Sequence, residues 1–186
     1  MPKVSQEHRD ARRAEILEGA RRAFSRWGYE GATVARLEEE TGLSRGAIFH
    51  YFGNKLDLFV ELAVEVSRHY GALLTGSGLD AAVHAMAGED PDWLGVLLEM
   101  HARLRHDPEF LHRASTPPEE RELVVDWFRA RQEDGMFRSD VSPLDLGRFA
   151  TMVLNGLALR VVGGDETDVE SVLRLLHDAV GAREHH

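Results

Sequence analysis

Apolar residues recur at three- and four-residue intervals through most of the 186-residue chain, and glycine and proline clusters are what interrupt them. Such spacing lays one apolar stripe along each of a series of helices. No stretch shows the two-residue alternation of a half-buried strand with hairpin turn signals. The fold class is therefore all-α. Ile16, Ala20, Ala23, Phe24 and Trp27 mark one face of a first helix that stops at Gly28. Thr33 is placed to cap a second helix, with Val34 and Leu37 inward, that ends at Gly42. Ser44 is placed to cap a third, with Ile48 and Phe52 inward. A longer fourth helix over 54–74 carries Phe59, Leu62, Ala63, Val66 and Tyr70 on one stripe, before a break at Gly76-Ser77-Gly78. Beyond it the pattern predicts helices near 79–88, 91–105, 119–134, 143–162 and 166–181, with Pro108, Pro117 and Pro118 in a separating segment. The total is about nine.

A hydrophobic fraction of 43% is enough for a real core. The absence of cysteine excludes disulfides, thiolate catalysis and Cys-bound zinc or iron–sulfur centres. The first twenty residues are charged and no run approaches a membrane span, so the expected location is cytoplasmic. Net charge is −10, but it is unevenly placed. Residues 1–55 hold ten Lys/Arg and eight Asp/Glu (+2), which leaves twelve against twenty-four (−12) in the remainder. A basic N-terminal third on an acidic body is what a nucleic-acid reader joined to a separate module would show. The closing Glu184-His185-His186 has the composition of a truncated affinity tag and is assigned no function.

Two short helices joined by a tight glycine turn make a helix-turn-helix, and Thr33–Thr41, Gly42-Leu43 and Ser44–Phe52 fit that plan. With Ile48 and Phe52 turned inward, the other faces present Arg45, Gly46, Ala47, Phe49, His50 and Tyr51. Small residues at 46 and 47 allow the helix start to approach base edges, and Arg45 can then reach guanine O6 and N7. Phe49 is placed for a thymine methyl or for packing, and His50 and Tyr51 carry polar tips at phosphate height. Lys55 adds a point charge, and Arg36 is expected on the exposed side of the second helix within reach of a phosphate or base. Backbone N–H groups near Thr33 and Ser44 would help to hold phosphate oxygens. A helical hairpin whose aromatics only pack is the competing reading; the row of small, basic and hydrogen-bonding residues speaks against it.

The run from Ala14 to Ala63 resembles the DNA-binding module of the TetR family of bacterial transcriptional regulators. The likeness rests on Phe24 with Gly28-Tyr29, Thr33-Val34, Gly42-Leu43-Ser44, Phe49-His50-Tyr51-Phe52, and Lys55 with Leu58-Phe59. It implies a homodimer with an N-terminal helix-turn-helix domain of three helices, taken as 1–53. A C-terminal helical domain, taken as 54–183, would hold a ligand cavity and the dimer contact. It also implies a pseudo-palindromic operator and repression altered by a small-molecule effector. The runs EILEGARR, GYEGATV and SRGAIFH resemble most an actinobacterial branch of the family, in which the effector would be a tricarboxylate with magnesium. Nothing in the residues themselves requires a metal or cofactor. Twelve Lys/Arg against twenty-four acids beyond residue 55 suit a cationic or aromatic ligand equally well, so the effector class stays open.

Residues 146–162 are apolar nearly all round, which predicts burial on two sides, by the chain's own core and by a second subunit. Ala150, Gly156 and Ala158 would permit close helix approach, and the last helix, with Leu175 off its main stripe, is the expected partner. The helices at 143–162 and 166–181 are thus the predicted homodimer contact; a single-chain bundle core is the alternative. For the effector, Trp93, Glu99, Arg103, Trp127, Asn155, Arg160 and His177 are the candidates, as polar or aromatic groups set among apolar ones. Glu99 and Arg103, one turn apart, are more often a solvated pair than a pocket lining.

No phosphate loop, nucleophile elbow or zinc-protease helix is present, and His101, His106 and His112 are spaced at five and six, off the helical repeat. No catalytic residue is assigned. A regulator governed by a protein partner without a small ligand is the alternative reading, and a metal-dependent helical hydrolase a remote one.

Overall fold

The computed structural model describes residues 6–182, so the Glu184-His185-His186 tail and the last residue of the expected 54–183 domain lie outside it. Ten helices succeed one another: α1 (Gln6–Gly31), α2 (Val34–Thr41), α3 (Arg45–Tyr51), α4 (Lys55–Ser77), α5 (Leu79–Ala87), α6 (Pro91–Leu104), α7 (Pro108–Ala114), α8 (Pro118–Glu133), α9 (Pro143–Val162) and α10 (Val169–Val180). Among the described residues the one β feature is an isolated antiparallel bridge between Phe137 and Gly181. The chain divides into two compact units, Met1–Glu65 with Gly95–Ser115, and Val66–Leu94 with Thr116–His186.

One helix more than expected is present. The residues around Pro108 read as a separator, yet Asp107 caps α7 by accepting from the amides of Glu109 and Phe110 at 3.0 and 3.1 Å. Proline at the first helical position has no amide to waste and a φ already suited to the helix, so Pro108 starts a helix instead of ending one.

In the first unit, α1 is interrupted at Gly28, whose φ of 68° and ψ of 174° lie outside the helical region; a last turn then carries the chain to Gly31. Ile16, Ala20, Ala23, Phe24, Leu37, Ile48 and Leu58 are completely buried. Close approach of α1 to α2 depends on Gly19, where a Cβ would stand 2.7 Å from Thr41 Cγ2 and 2.9 Å from the Glu40 carbonyl oxygen. Phe24 and Tyr29 stack at 5.7 Å, and Phe59 meets both edge-on at 5.5 and 5.4 Å. Each such pair contributes about 0.5–1.5 kcal/mol beyond its buried area. Val96, Met100 and Phe110 are buried residues of the 95–115 segment.

In the second unit, α5 packs on α9 and α10, and α8 packs on α9. Its core is built from Leu79, Val83, Met86, Phe128, Leu146, Leu157, Leu173, Leu176 and Val180. At Gly147 α9 lies against the Phe128 ring, which an added Cβ would meet at an ordinary contact distance of 3.7 Å. The outer side of α9 leaves Leu144, Met152, Leu159 and Val162 exposed, and α10 adds Leu175 at 69% exposure. The two-sided apolar character of residues 146–162 thus has a buried half within this chain and an open half.

Candidate DNA-binding surface

Local chemistry fixes the start and end of the two helices. Thr33 Oγ1 accepts from the Arg36 amide, and Ser44 Oγ accepts from the Ala47 amide, both at 3.4 Å. Between them Gly42 takes the left-handed conformation (φ 68°, ψ 15°) and returns its N–H to the Glu38 carbonyl at 2.9 Å. A side chain there would be strained, which is why a glycine ends α2. Thr41 braces the turn: its hydroxyl donates to the Leu37 carbonyl at 2.7 Å and accepts from the Leu43 amide at 3.2 Å.

With Ile48 and Phe52 buried, α3 leaves Arg45, Gly46 and His50 exposed and Ala47, Phe49 and Tyr51 half-buried. Nothing stands within 4 Å of where a Cβ would be at Gly46, so the surface beside Arg45 is open. His50 and Tyr51 meet edge-on at 5.5 Å. The Arg45 side chain has no ion-pair partner among the described residues. Two other arginines of this unit are engaged. Arg22 binds Glu40 at 3.1 Å and Glu18 at 3.2 Å, and Arg13 binds Glu61 at 2.6 Å while lying over Phe52.

Two of the expected DNA contacts are tied inward. Arg36 is half-buried: its Nη1 donates to the Gly31 carbonyl at 2.7 Å, and its guanidinium lies 4.9 Å from the Trp27 ring centre. Lys55 Nζ donates to the Tyr29 carbonyl at 2.9 Å and lies 4.4 Å from that ring's centre. Both cations therefore satisfy carbonyls at the end of α1. Burial, followed by the Glu30 charge, raises the Tyr29 phenol above its ordinary value. Sequence reasoning missed Glu38, whose carboxylate accepts from the Arg45 amide at 2.6 Å. It places negative charge at the start of α3, where the helix dipole favours it, and occupies an N–H expected to face phosphate. No linear signal distinguishes Glu38 from its neighbours Glu39 and Glu40.

The candidate effector residues are differently disposed. Glu99 and Arg103 belong to the first unit, where Arg103 pairs with Glu30 and not with the acid one turn before it. In the second unit Trp93 and Trp127 are buried, whereas Asn155, Arg160 and His177 are exposed. Arg160 binds Thr167 and Asp165, and His177 Nε2 lies 2.7 Å from Asp80 Oδ1. The buried Trp127 indole N–H has no acceptor among the described residues, and Arg131 lies over the same ring at 3.7 Å.

Residues 16–62 match the family model described as bacterial regulatory proteins, tetR family. Over 184 residues the chain is 39% identical to the HTH-type transcriptional repressor Rv1474c of Mycobacterium tuberculosis, covering 97% of this chain and 98% of that one. It is 42% identical over 187 residues to the HTH-type transcriptional repressor AcnR of Corynebacterium diphtheriae, covering 97% of each. The chain belongs to the TetR family.

As a TetR-family protein it is a DNA-binding transcriptional regulator and not an enzyme. A solved TetR transcription regulator from Haloarcula marismortui shares the fold, with a TM-score of 0.69, 20% identity, and coverage of 91% of this chain and 96% of that one. The TetR family match spans α1 from Ile16 to the Leu62 turn of α4, which takes in every residue of the helix-turn-helix. Likeness to the two repressors continues through the C-terminal helices. No helix among the described residues is long and apolar enough to cross a membrane.

Proposed function

We propose that this regulator is a cytoplasmic, homodimeric repressor that inserts α3 into the major groove of a pseudo-palindromic operator. The observation that carries this reading is the exposed Arg45–Gly46 start of α3, a guanidinium with no partner among the described residues beside an open backbone. Arg45 reads a base, Ala47 and Phe49 border the groove, and Ser44, His50, Tyr51 and Thr33 meet the backbone of the duplex. Arg36 and Lys55 act chiefly by holding the end of α1 under the reading helices. The functional division falls between a reading domain, 1–53, and an effector and dimerisation domain, 54–183.

The open apolar side of α9 and Leu175 of α10 support a homodimer through these two helices, since two reading heads must meet grooves about 34–36 Å apart or a multiple of that. Repression is supported by the names of the two full-length relatives. An effector with a hydrogen-bond acceptor is supported by the buried indole N–H of Trp127, which has no partner among the described residues.

Selection of bound duplexes from a random library, at stated salt, tests the reading. An inverted repeat is the expected product, and recovery of no preferred sequence would overturn it. Thermal stabilisation by metabolites, lost in Trp127→Phe, tests the effector assignment.

A further inference from the structure

The reading module is held at both ends by arginines from a distant part of the sequence. Arg103, in the last turn of α6, binds Glu30, three residues before the Thr33 cap of α2. Arg113, in the last turn of α7, binds Asp57 Oδ1 at 2.5 Å, five residues after Phe52 ends α3. Each arginine follows a buried anchor by three residues, Met100 in one case and Phe110 in the other, so each is carried by an element set into the same compact unit.

The second contact reaches the turn that leaves α3. Asp57 Oδ2 accepts from Asn54 Nδ2 at 2.8 Å, and Asn54 Oδ1 accepts from the Asp57 amide at 2.9 Å. Gly53, at a φ of 47°, lies so close that a Cβ there would stand 2.5 Å from Asp57 Oδ2. Arg113, Asp57 and Asn54 thus form one hydrogen-bonded chain from α7 to the exit of the reading helix, with Gly53 packed against it. The first contact reaches the α1 terminus, where the Tyr29 carbonyl is already taken by Lys55.

We propose that Arg103 and Arg113 are positioning residues for DNA recognition, which fix the orientation of α2 and α3 by gripping the segments before and after them. This rests on α3 being the element that meets DNA. Neither arginine needs to touch the duplex. Each acts by raising the fraction of molecules whose reading helix is set for binding, and apparent affinity scales with that fraction.

The test uses the full chain and its selected operator. Arg103→Ala and Arg113→Ala are each expected to weaken operator binding about fivefold, the upper range for pairs of this exposure. The slope of log Kobs against log salt should not change, because no phosphate contact is lost. Glu30→Arg and Arg103→Glu should each weaken binding, and the two together should restore it to within about twofold by re-forming the pair in reverse. Glu30 and Arg103 are both exposed, so these variants keep the fold, which their melting temperatures check. Binding within about twofold of the parent in both alanine variants and in their combination would overturn the proposal. So would a salt slope lowered by about one unit per arginine, which would make them phosphate ligands. Arg45→Ala is measured alongside: unchanged discrimination there sinks the assignment of α3, whereas intact binding in the arginine variants alone sinks the positioning role.

Discussion

Lys55 donates from Nζ to the backbone carbonyl of Tyr29 at 2.9 Å and lies over that residue's ring, so the first residue of α4 closes the last turn of α1. A lysine at this place reads in sequence as a phosphate ligand. In the fold it is half-buried and already has a partner.

Lys55→Met is therefore expected to lower the unfolding free energy by about 1 kcal/mol, from one hydrogen bond and a cation–π contact. The salt slope of operator binding should shift by less than about half a unit. Denaturant unfolding and binding at several salt concentrations measure both. A slope lower by a full unit would return Lys55 to direct phosphate contact.

Arg45 is the contrasting case, exposed at the start of α3 and without a partner among the described residues. Arg45→Ala should cost about 1–3 kcal/mol and relax preference at one base position of each half-site. Repeating the library selection with the variant shows it. Retained preference at every position would mean that Arg45 reads no base.

Gly42 ends α2 in a left-handed conformation. Gly42→Ala should destabilise the chain by about 1–2 kcal/mol through that backbone strain alone. The urea midpoint should fall with the slope unchanged. No steric clash contributes, since nothing lies within 4 Å of where the Cβ would be.

His84 of α5 lies 2.9 Å through Nδ1 from the Asp80 carbonyl and 3.2 Å through Nε2 from Glu170 of α10. Two acceptors favour the doubly protonated ring, and the bond to the Asp80 carbonyl is the main cause of its raised pKa, with Glu170 second. A raised folded-state value means the contribution is complete below about pH 6.5 and is lost as pH rises through the folded value. The melting-temperature gap between the parent and His84→Ala should be widest on the acid side and close with rising pH. A gap that widened towards alkaline pH would contradict the assignment.

Met152 and Leu159 are 63% and 59% exposed on the open side of α9. If that side is the homodimer contact, Leu159→Glu should leave a folded monomer, because burying an unpaired carboxylate in an apolar interface is strongly unfavourable. Sedimentation of the parent and variant reads the result directly. A variant that remains dimeric would move the contact elsewhere.

Much of the helix-turn-helix was legible before any coordinates. Thr33, Gly42 and Ser44 act through their own backbone neighbours, within three or four residues, so residue type and spacing alone were enough to place them. The stripes of α1 and α4 were legible for the same reason, because helical periodicity is a local property. α7 was not, since a proline that starts a helix and one that interrupts it look alike until Asp107 is seen to cap it.

Which charges are engaged within the fold was beyond the sequence. Arg36, Arg45 and Lys55 are equivalent as letters, and only packing decides that two are bound to carbonyls of α1 while the third faces outward. The same holds for Arg103, whose near neighbour in sequence is Glu99 but whose partner in space is Glu30. The sequence by itself determined where helices begin, where they turn, and which family they serve, because short-range chemistry governs those features. Tertiary structure alone decided which side chains pair across 18 to 97 residues, because such pairs form only where packing brings their elements together.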